Sequence, residues 1–316
     1  MPRPLDRVIH TLGWPLRPQP SLNEFGGSFV YPLGPEHVSI GFVVGLDYAD
    51  SDLSPHDLLQ RLKTHPRVRP ILEGGERVAW GAKSIPEGGW HAIPRTLTLP
   101  GALLVGDSAG LVNVPRLKGI HYAIRSGMLA AEAIAGSLRG DGSALDGYGT
   151  AVRASEIGRD LHRVRNMRQT FRRGLVAGGA LAGAMEVTGG RFPGGTWSTE
   201  PDPAVAMSPR GAVAARPDGV LTFDKLSSVY LSGNRTRDDQ PDHLRIARRV
   251  PRELAETWVN LCPAAVYEVV EGSDAEDGSV AVAVAPSNCV QCGAINAKGG
   301  RLTPPEGGSG PEYRLT

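Results

Sequence analysis

The stretch NCVQCGAI, residues 288–295, sets Cys289 and Cys292 three positions apart in a chain that has only three cysteines. Thiolates at this spacing can hold neighbouring irons of an iron–sulfur cluster. The third thiol, Cys262, is followed directly by Pro263. A Cys-Pro on one side and a C-x-x-C pair on the other has the form of half a ferredoxin-type cradle. Zinc is the next reading, but three cysteines would need a fourth donor, and no histidine follows His243. A thioredoxin-like dithiol places its C-x-x-C at the start of a helix after a strand, which this stretch does not offer. Inert thiols are the remaining reading, and three cysteines in one module argue against it. At position 295, where the same step would put another thiol, stands Ile295.

A second group of residues lies in VGDSAG, residues 105–110. The apolar run ALLVG ends in Gly106 and Asp107, and small residues lead through Asn113 and Gly119 toward a helix. An Asp at a strand end can hydrogen-bond a ribose or ribityl hydroxyl, and a helix N-terminus favours an electronegative ligand edge. An ordinary turn capped by Asp107 is the alternative. A dinucleotide-binding flavoprotein also needs G-x-G-x-x-G between a strand and a helix. That spacing does not occur here in such a setting, so the first βαβ unit of such a fold is not in this sequence.

Several elements must position these residues. Residues 26–48 read as two strands around the turn GPEH, and 77–85 as another strand. Residues 54–66 read as a short helix with Ser54 as N-cap, Pro55 at its first position and Pro66 beyond its end. From Ile120 to Leu138 a helix is predicted, with Ile124, Met128, Ala131, Ala135 and Leu138 on one stripe. Residues 142–171 read as a second, charged helix. The apolar run from Gly174 to Met185 follows five arginines (Arg163, Arg165, Arg168, Arg172 and Arg173). It reads either as a patch that docks on an anionic membrane surface or as a Gly-rich core turn. Residues 191–219 are rich in Pro, Gly and Ala, the composition of a linker.

The 316 residues, 41% of them hydrophobic, are enough for one large domain or two ordinary ones. A net charge of +1 provides no global field for phosphates, so nucleic acid is not an expected partner. An odd cysteine count does not fit a secreted disulfide framework. No apolar run reaches the roughly 18 residues of a membrane-spanning helix.

Taken in order, VIHTLGWPL, FGGSFVYPL, SIGFVVGLDY, THPRVRPILEGG, GALLVGDSAGLVNVPRLKGIHYAIRSGMLAAEAI, LTFDKLSSVYLSGNRTRDDQPDHLRI, CPAAVYEVV, NCVQC and PPEGGSGPEY resemble the C-terminal half to two-thirds of electron transfer flavoprotein–ubiquinone oxidoreductases. The resemblance runs from about residue 8 to 313 and is poor from roughly 175 to 215. It implies a monotopic enzyme, peripheral on a membrane and facing the bacterial cytoplasm or the mitochondrial matrix. Its cofactors would be FAD and one [4Fe-4S] cluster. Electrons would enter from reduced electron-transfer flavoprotein and leave to ubiquinone. By the same resemblance Gly26 and Gly27 meet the quinone head group, Gly106, Asp107, Asn113 and Gly119 face the flavin, and Cys262, Cys289 and Cys292 are cluster ligands.

Two departures stand out. Ile295 occupies the fourth ligand position, which implies a [3Fe-4S] cluster or a non-cysteine donor. Ile120 stands where the family usually has a hydroxyl residue near the flavin. The expected architecture is an incomplete α/β flavoprotein-type region over 1–205, lacking its first βαβ unit, and a small α+β ferredoxin-like iron–sulfur domain over 206–316. A separate chain carrying the N-terminal FAD-binding unit is a further partner on this reading. The alternative is a split subunit that acts only as an iron–sulfur electron-transfer or assembly module without its own flavin.

Overall fold

A computed structural model of the chain describes residues 5–16, 24–116, 118–198, 201–211, 216–306 and 310–313. It divides into two compact units, one made of Met1–Ser84 with Glu200–Thr316 and the other of Ile85–Thr199. This partition differs from a single cut at residue 205, because the N-terminal β layer belongs with the C-terminal module.

The first unit opens with strands β1 (Ile9–Leu12), β2 (Gly26–Leu33) and β3 (His37–Val44), an antiparallel sheet with β2 in the centre. The predicted hairpin around GPEH is present, and β1 is an addition to it. Its four residues IHTL alternate without a strong apolar pattern, and it is held by pairing to β2 and by Thr11 Oγ1 against Ser28 Oγ at 2.7 Å. Helix α1 (Pro55–Lys63) starts as predicted: Pro55 is in its first turn and the Ser54 hydroxyl accepts from the Asp57 amide. A short helix, α2, spans Arg69–Leu72. Leu58 of α1 is buried with Leu16, Tyr48, Leu53 and Leu261.

Residues 77–85, predicted as a strand, form no ladder. They run without regular structure, and Trp80 and Ala82 pack against the C-terminal core. At the end of this segment Ser84 and Lys83 bond the Cys292 and Gln291 carbonyls of a loop, in place of a neighbouring strand.

The second unit begins with the two-residue strands β4 (Thr98–Leu99) and β5 (Ala102–Leu103), paired antiparallel. The predicted buried strand ALLVG is therefore only the second arm of a small hairpin. Five helices follow: α3 (Ile120–Leu138), α4 (Ala144–Ala154), α5 (Glu156–Arg163), α6 (Met167–Thr170) and α7 (Leu175–Val187). The predicted single helix over 142–171 is thus three. The break falls at Ser155, extended in backbone, whose hydroxyl caps α5 by accepting from the Ile157 amide.

Helix α3 buries Tyr122, Ser126, Leu129, Ala130 and Ala133. The stripe predicted from spacing lies on the other side, with Ile124 62% and Leu138 84% exposed. A helix that is apolar nearly all round offers two stripes, and periodicity alone does not say which one is packed. The apolar run after the arginines is helix α7 and not a turn. Its Ala182 and Met185 are buried while Val176 and Val187 are exposed. No helix among the described residues is long and apolar enough to cross a membrane.

The rest of the first unit comprises α8 (Lys225–Ser232), β6 (Leu244–Arg245), β7 (Arg249–Pro251), α9 (Arg252–Leu261), β8 (Tyr267–Val269), β9 (Ser279–Val284) and β10 (Arg301–Leu302). Strands pair antiparallel in the order β7-β9-β8, and β10 pairs with β6. The module is helical with small antiparallel sheets around a core of Trp258, Ala255, Val280 and Val282. Trp258 is fully buried and donates Nε1–H to the Lys298 carbonyl at 2.6 Å.

Lys63, at the end of α1, is buried and donates to Gln60 Oε1 at 2.9 Å and to the Leu221 carbonyl at 3.2 Å. Burial, helped by the nearby Arg77 charge, lowers its pKa from 10.5 to about 8. Its folded pKa is the lower one, so the cost of burying the charge is complete below about pH 8 and fades as pH rises toward the unfolded value. The stability difference between wild type and Lys63→Met should therefore move toward wild type by on the order of 2 kcal/mol between about pH 7 and pH 10. Urea denaturation of both proteins across that range checks it.

Candidate metal centre

All three cysteines line one pocket at the heart of the C-terminal module, together with Leu244, Leu261, Val266, Tyr267, Val290 and Ile295. Cys262 follows directly on α9, where Pro263 prevents the helix from continuing. Cys289 follows a single 3-10 turn, Pro286–Asn288. Cys292 stands between two residues with left-handed backbone, Gln291 (φ 55°) and Gly293 (φ 79°).

These turns aim amides at sulfur. The Ala264 and Val266 amides donate to Cys262 Sγ at 3.5 and 3.4 Å, and the Gln291 amide donates to Cys289 Sγ at 3.4 Å. Amide donors of this kind stabilise negative charge on sulfur and tune a bound cluster. Burial works the other way. It pushes the Cys289 thiol up to about 12 and raises Cys262 and Cys292 as well. Ionising three thiols in such a pocket requires a cationic group among them, which is what iron supplies.

The loop that carries the pair is tied down from far away in sequence. The Ser84 amide and hydroxyl both donate to the Cys292 carbonyl at 2.7 Å, and Lys83 Nζ donates to the Gln291 carbonyl at 3.0 Å. Lys225, a half-buried cation near Cys262, bonds the Val259 and Asn260 carbonyls at the end of α9. Sequence reading missed Lys83, Ser84 and Lys225, because single polar residues remote from the cysteines carry no motif.

Among the described residues, no three or more His, Cys, Asp or Glu side chains are grouped to hold a metal ion. A single zinc ion needs such convergence. Three thiols that share a pocket without meeting at a point instead suit a cluster, in which each cysteine binds a different iron. Ile295 contributes no donor. It is 5% exposed and its side chain is part of the core.

Gly106, Asp107, Asn113 and Gly119, expected from the resemblance to face a flavin, gather at the start of α3. Gly106 has φ +56° and Gly110 φ +71°, so the turn between them folds back tightly. Asp107 is exposed, and a Cβ on Gly119 would come within 2.6 Å of its Oδ1, so the carboxylate occupies the space left bare by glycine. Helix α3 has no side-chain cap. Asn113, like Gly106, is buried and engaged. It donates to the Tyr122 hydroxyl at 3.3 Å and accepts from the Arg116 amide at 3.3 Å.

Gly26 and Gly27 lie in the central strand β2. A Cβ on Gly26 would strike the Val43 carbonyl and one on Gly27 the Thr11 carbonyl, so the sheet itself demands glycine at both positions.

One other cluster has a chemical look. Asp57 Oδ1, His56 Nδ1, His56 Nε2 and Ser228 Oγ are linked at 3.3 and 3.1 Å, the order of a hydrolase triad. His56 and Ser228 are both buried, however, and Arg77 donates to the same Ser228 oxygen at 3.2 Å. A nucleophile needs access to substrate, so this network is structural.

Comparison with known proteins points to one family. Residues 4–85 match the family described as ETF-QO, ubiquinone-binding, and residues 219–314 match electron transfer flavoprotein-ubiquinone oxidoreductase, 4Fe-4S. The mitochondrial electron transfer flavoprotein-ubiquinone oxidoreductase of Arabidopsis thaliana is 40% identical over 98% of this chain and 49% of its own length. The Pseudomonas aeruginosa protein of that name is 39% identical over 97% of this chain and 57% of its own length. The Rattus norvegicus mitochondrial protein is 40% identical, with 97% and 53% covered. The chain spans about half the length of these curated relatives.

The Ser84–Gly293 contact gives a direct test of the loop. A Cβ at Gly293 would lie 2.9 Å from Ser84 Oγ, in a left-handed backbone that costs ~1–2 kcal/mol for other residues. Gly293→Ala is expected to destabilise the chain by at least that amount, and by less when Ser84→Ala is already present. A double-mutant cycle in urea measures the coupling.

Proposed function

Since the chain belongs to the electron transfer flavoprotein–ubiquinone oxidoreductase family, we propose that it forms the quinone- and cluster-bearing part of an oxidoreductase. That enzyme passes electrons from reduced electron-transfer flavoprotein to ubiquinone. The observation that carries this reading is the meeting of Cys262, Cys289 and Cys292 in one apolar pocket, within the segment that matches the family's iron–sulfur domain.

Each group of residues has a part. The three thiolates hold the cluster, which when bound supplies a one-electron carrier. The amides of Ala264, Val266 and Gln291 offset part of the negative charge on sulfur. Gly26 and Gly27, inside the ubiquinone-binding match, present a strand face without side chains to the quinone ring. Gly106, Asp107 and Gly119 form a bare turn with an exposed carboxylate before the uncapped end of α3, a setting that suits a flavin edge and its hydroxyls. Asn113 acts there as the brace of the loop. FAD would be shared with sequence homologous to the other half of the relatives, supplied on the same or a separate polypeptide. The enzyme is read as peripheral on its membrane.

Anaerobic reconstitution with iron and sulfide tests the cluster assignment. Wild type should take up iron and acid-labile sulfide and gain visible charge-transfer absorption. Cys262→Ala and Cys289→Ala should each lose most of both. Equal iron in a Cys262→Ala/Cys289→Ala double variant would refute the site. Flavin uptake and quinone reduction by electron-transfer flavoprotein, measured with the N-terminal half of a relative co-expressed, test the rest. Iron without flavin in that preparation would favour the split electron-transfer module.

A further inference from the structure

The pocket that receives the cysteines differs from a four-iron site at one corner, and the inference drawn from this rests on the cluster reading above. A [4Fe-4S] cluster uses four cysteine thiolates. The whole sequence has three, and all three already line the pocket. We propose that this chain holds a three-iron, three-thiolate cluster, with the corner of the fourth iron closed by Ile295.

Three observations carry the proposal. First, among the described residues the lining offers no substitute ligand of ordinary kind: these include no His, Asp, Glu, Ser or Thr, and Tyr267 is the only other one of them with a side-chain oxygen. Second, Ile295 is fixed where it stands. Its carbonyl accepts from the Lys298 and Gly300 amides at 3.1 and 3.2 Å, and it lies within the 3-10 turn Ala294–Ala297. Its side chain crowds the point where a Cβ on Gly300 would be, together with Ile246. A side chain so held does not swing aside. Third, the surroundings are unfavourable to solvent as a ligand. A buried water needs two to four polar partners, and the aliphatic wall around Ile295 provides none.

The electrostatics agree. A three-iron cluster on three thiolates has the same formal charge as a four-iron cluster on four, in both the oxidised and the one-electron-reduced state. The amide donors and nearby lysines therefore face the charge that a complete site would present. Reduction adds one electron to the cluster and breaks no bond to the protein.

The test is iron and sulfide analysis with low-temperature EPR on the full chain, purified anaerobically. About three irons and four sulfides per chain are expected, with an EPR signal in the oxidised sample. The Ile295→Cys variant should bind a fourth iron and move the signal to the dithionite-reduced sample. If that variant does not fold, the wild-type count and spectrum still decide, and Ile295→Val and Tyr267→Phe should leave both unchanged. About four irons in wild type, with a signal only after reduction, would overturn the proposal while leaving the cluster reading intact. No iron in wild type or in Ile295→Cys after reconstitution would overturn both.

Discussion

One carbonyl oxygen holds the cysteine loop in place. The Cys292 carbonyl accepts both the amide and the hydroxyl of Ser84, across 208 residues of sequence, and Lys83 bonds the carbonyl just before it. Without these bonds the Gln291 and Cys292 carbonyls would be unpaired in an apolar setting, each costing ~1–3 kcal/mol. With them, Gln291 and Gly293 can keep their left-handed backbone and Cys292 stays aimed at the pocket. The contact is one of several that join the N-terminal layer to the C-terminal module in one compact unit: Lys298 Nζ also donates to the Tyr48 carbonyl, and Asn260 Nδ2 to the Ser51 carbonyl.

Charge is the second constraint on the site, and it follows from the first. The pocket is dry enough that burial raises all three thiols. The counter-charges at hand are Lys83 and Lys225, and both spend their hydrogen bonds on carbonyls rather than on sulfur. The site therefore disfavours free thiolates and favours a group that brings its own positive charge. This is a selective arrangement: it suits iron bound to sulfide and leaves the cysteines unreactive without it.

What could be read from sequence divides along the same line. Features set by neighbours in the chain were legible. These include the Ser54–Pro55 start of α1 and the hairpin around GPEH. Features set by distant partners were not. Strand β1 exists because β2 offers an edge. Residues 77–84 look like a strand because they are extended, yet their partner is the loop at 291–292. In α3 both faces are apolar, so spacing picked out Ile124 and Leu138 while packing chose Tyr122, Leu129 and Ala133. The cysteines lie between these cases. Their types gave the chemistry, but only the fold shows that Cys262 and the C-x-x-C pair share one pocket and that Ile295 closes it.

The glycines at 26 and 27 show how one sequence feature can satisfy two demands. In most strands a side chain stands clear of its neighbours, but here the Cβ positions are taken by the Val43 and Thr11 carbonyls. The Gly26 carbonyl already accepts the Gly13 amide at 3.1 Å, and Gly27 pairs with both β1 and β3. The backbone groups are thus largely committed to the sheet, though a carbonyl keeps a second lone pair. A flat ring docking at this point would gain chiefly from the bare strand face and only secondarily from hydrogen bonds. Close strand approach creates that face, so the packing of the sheet and the proposed quinone site would call for the same residue. A substitution at either glycine would disturb the sheet before it touched a ligand.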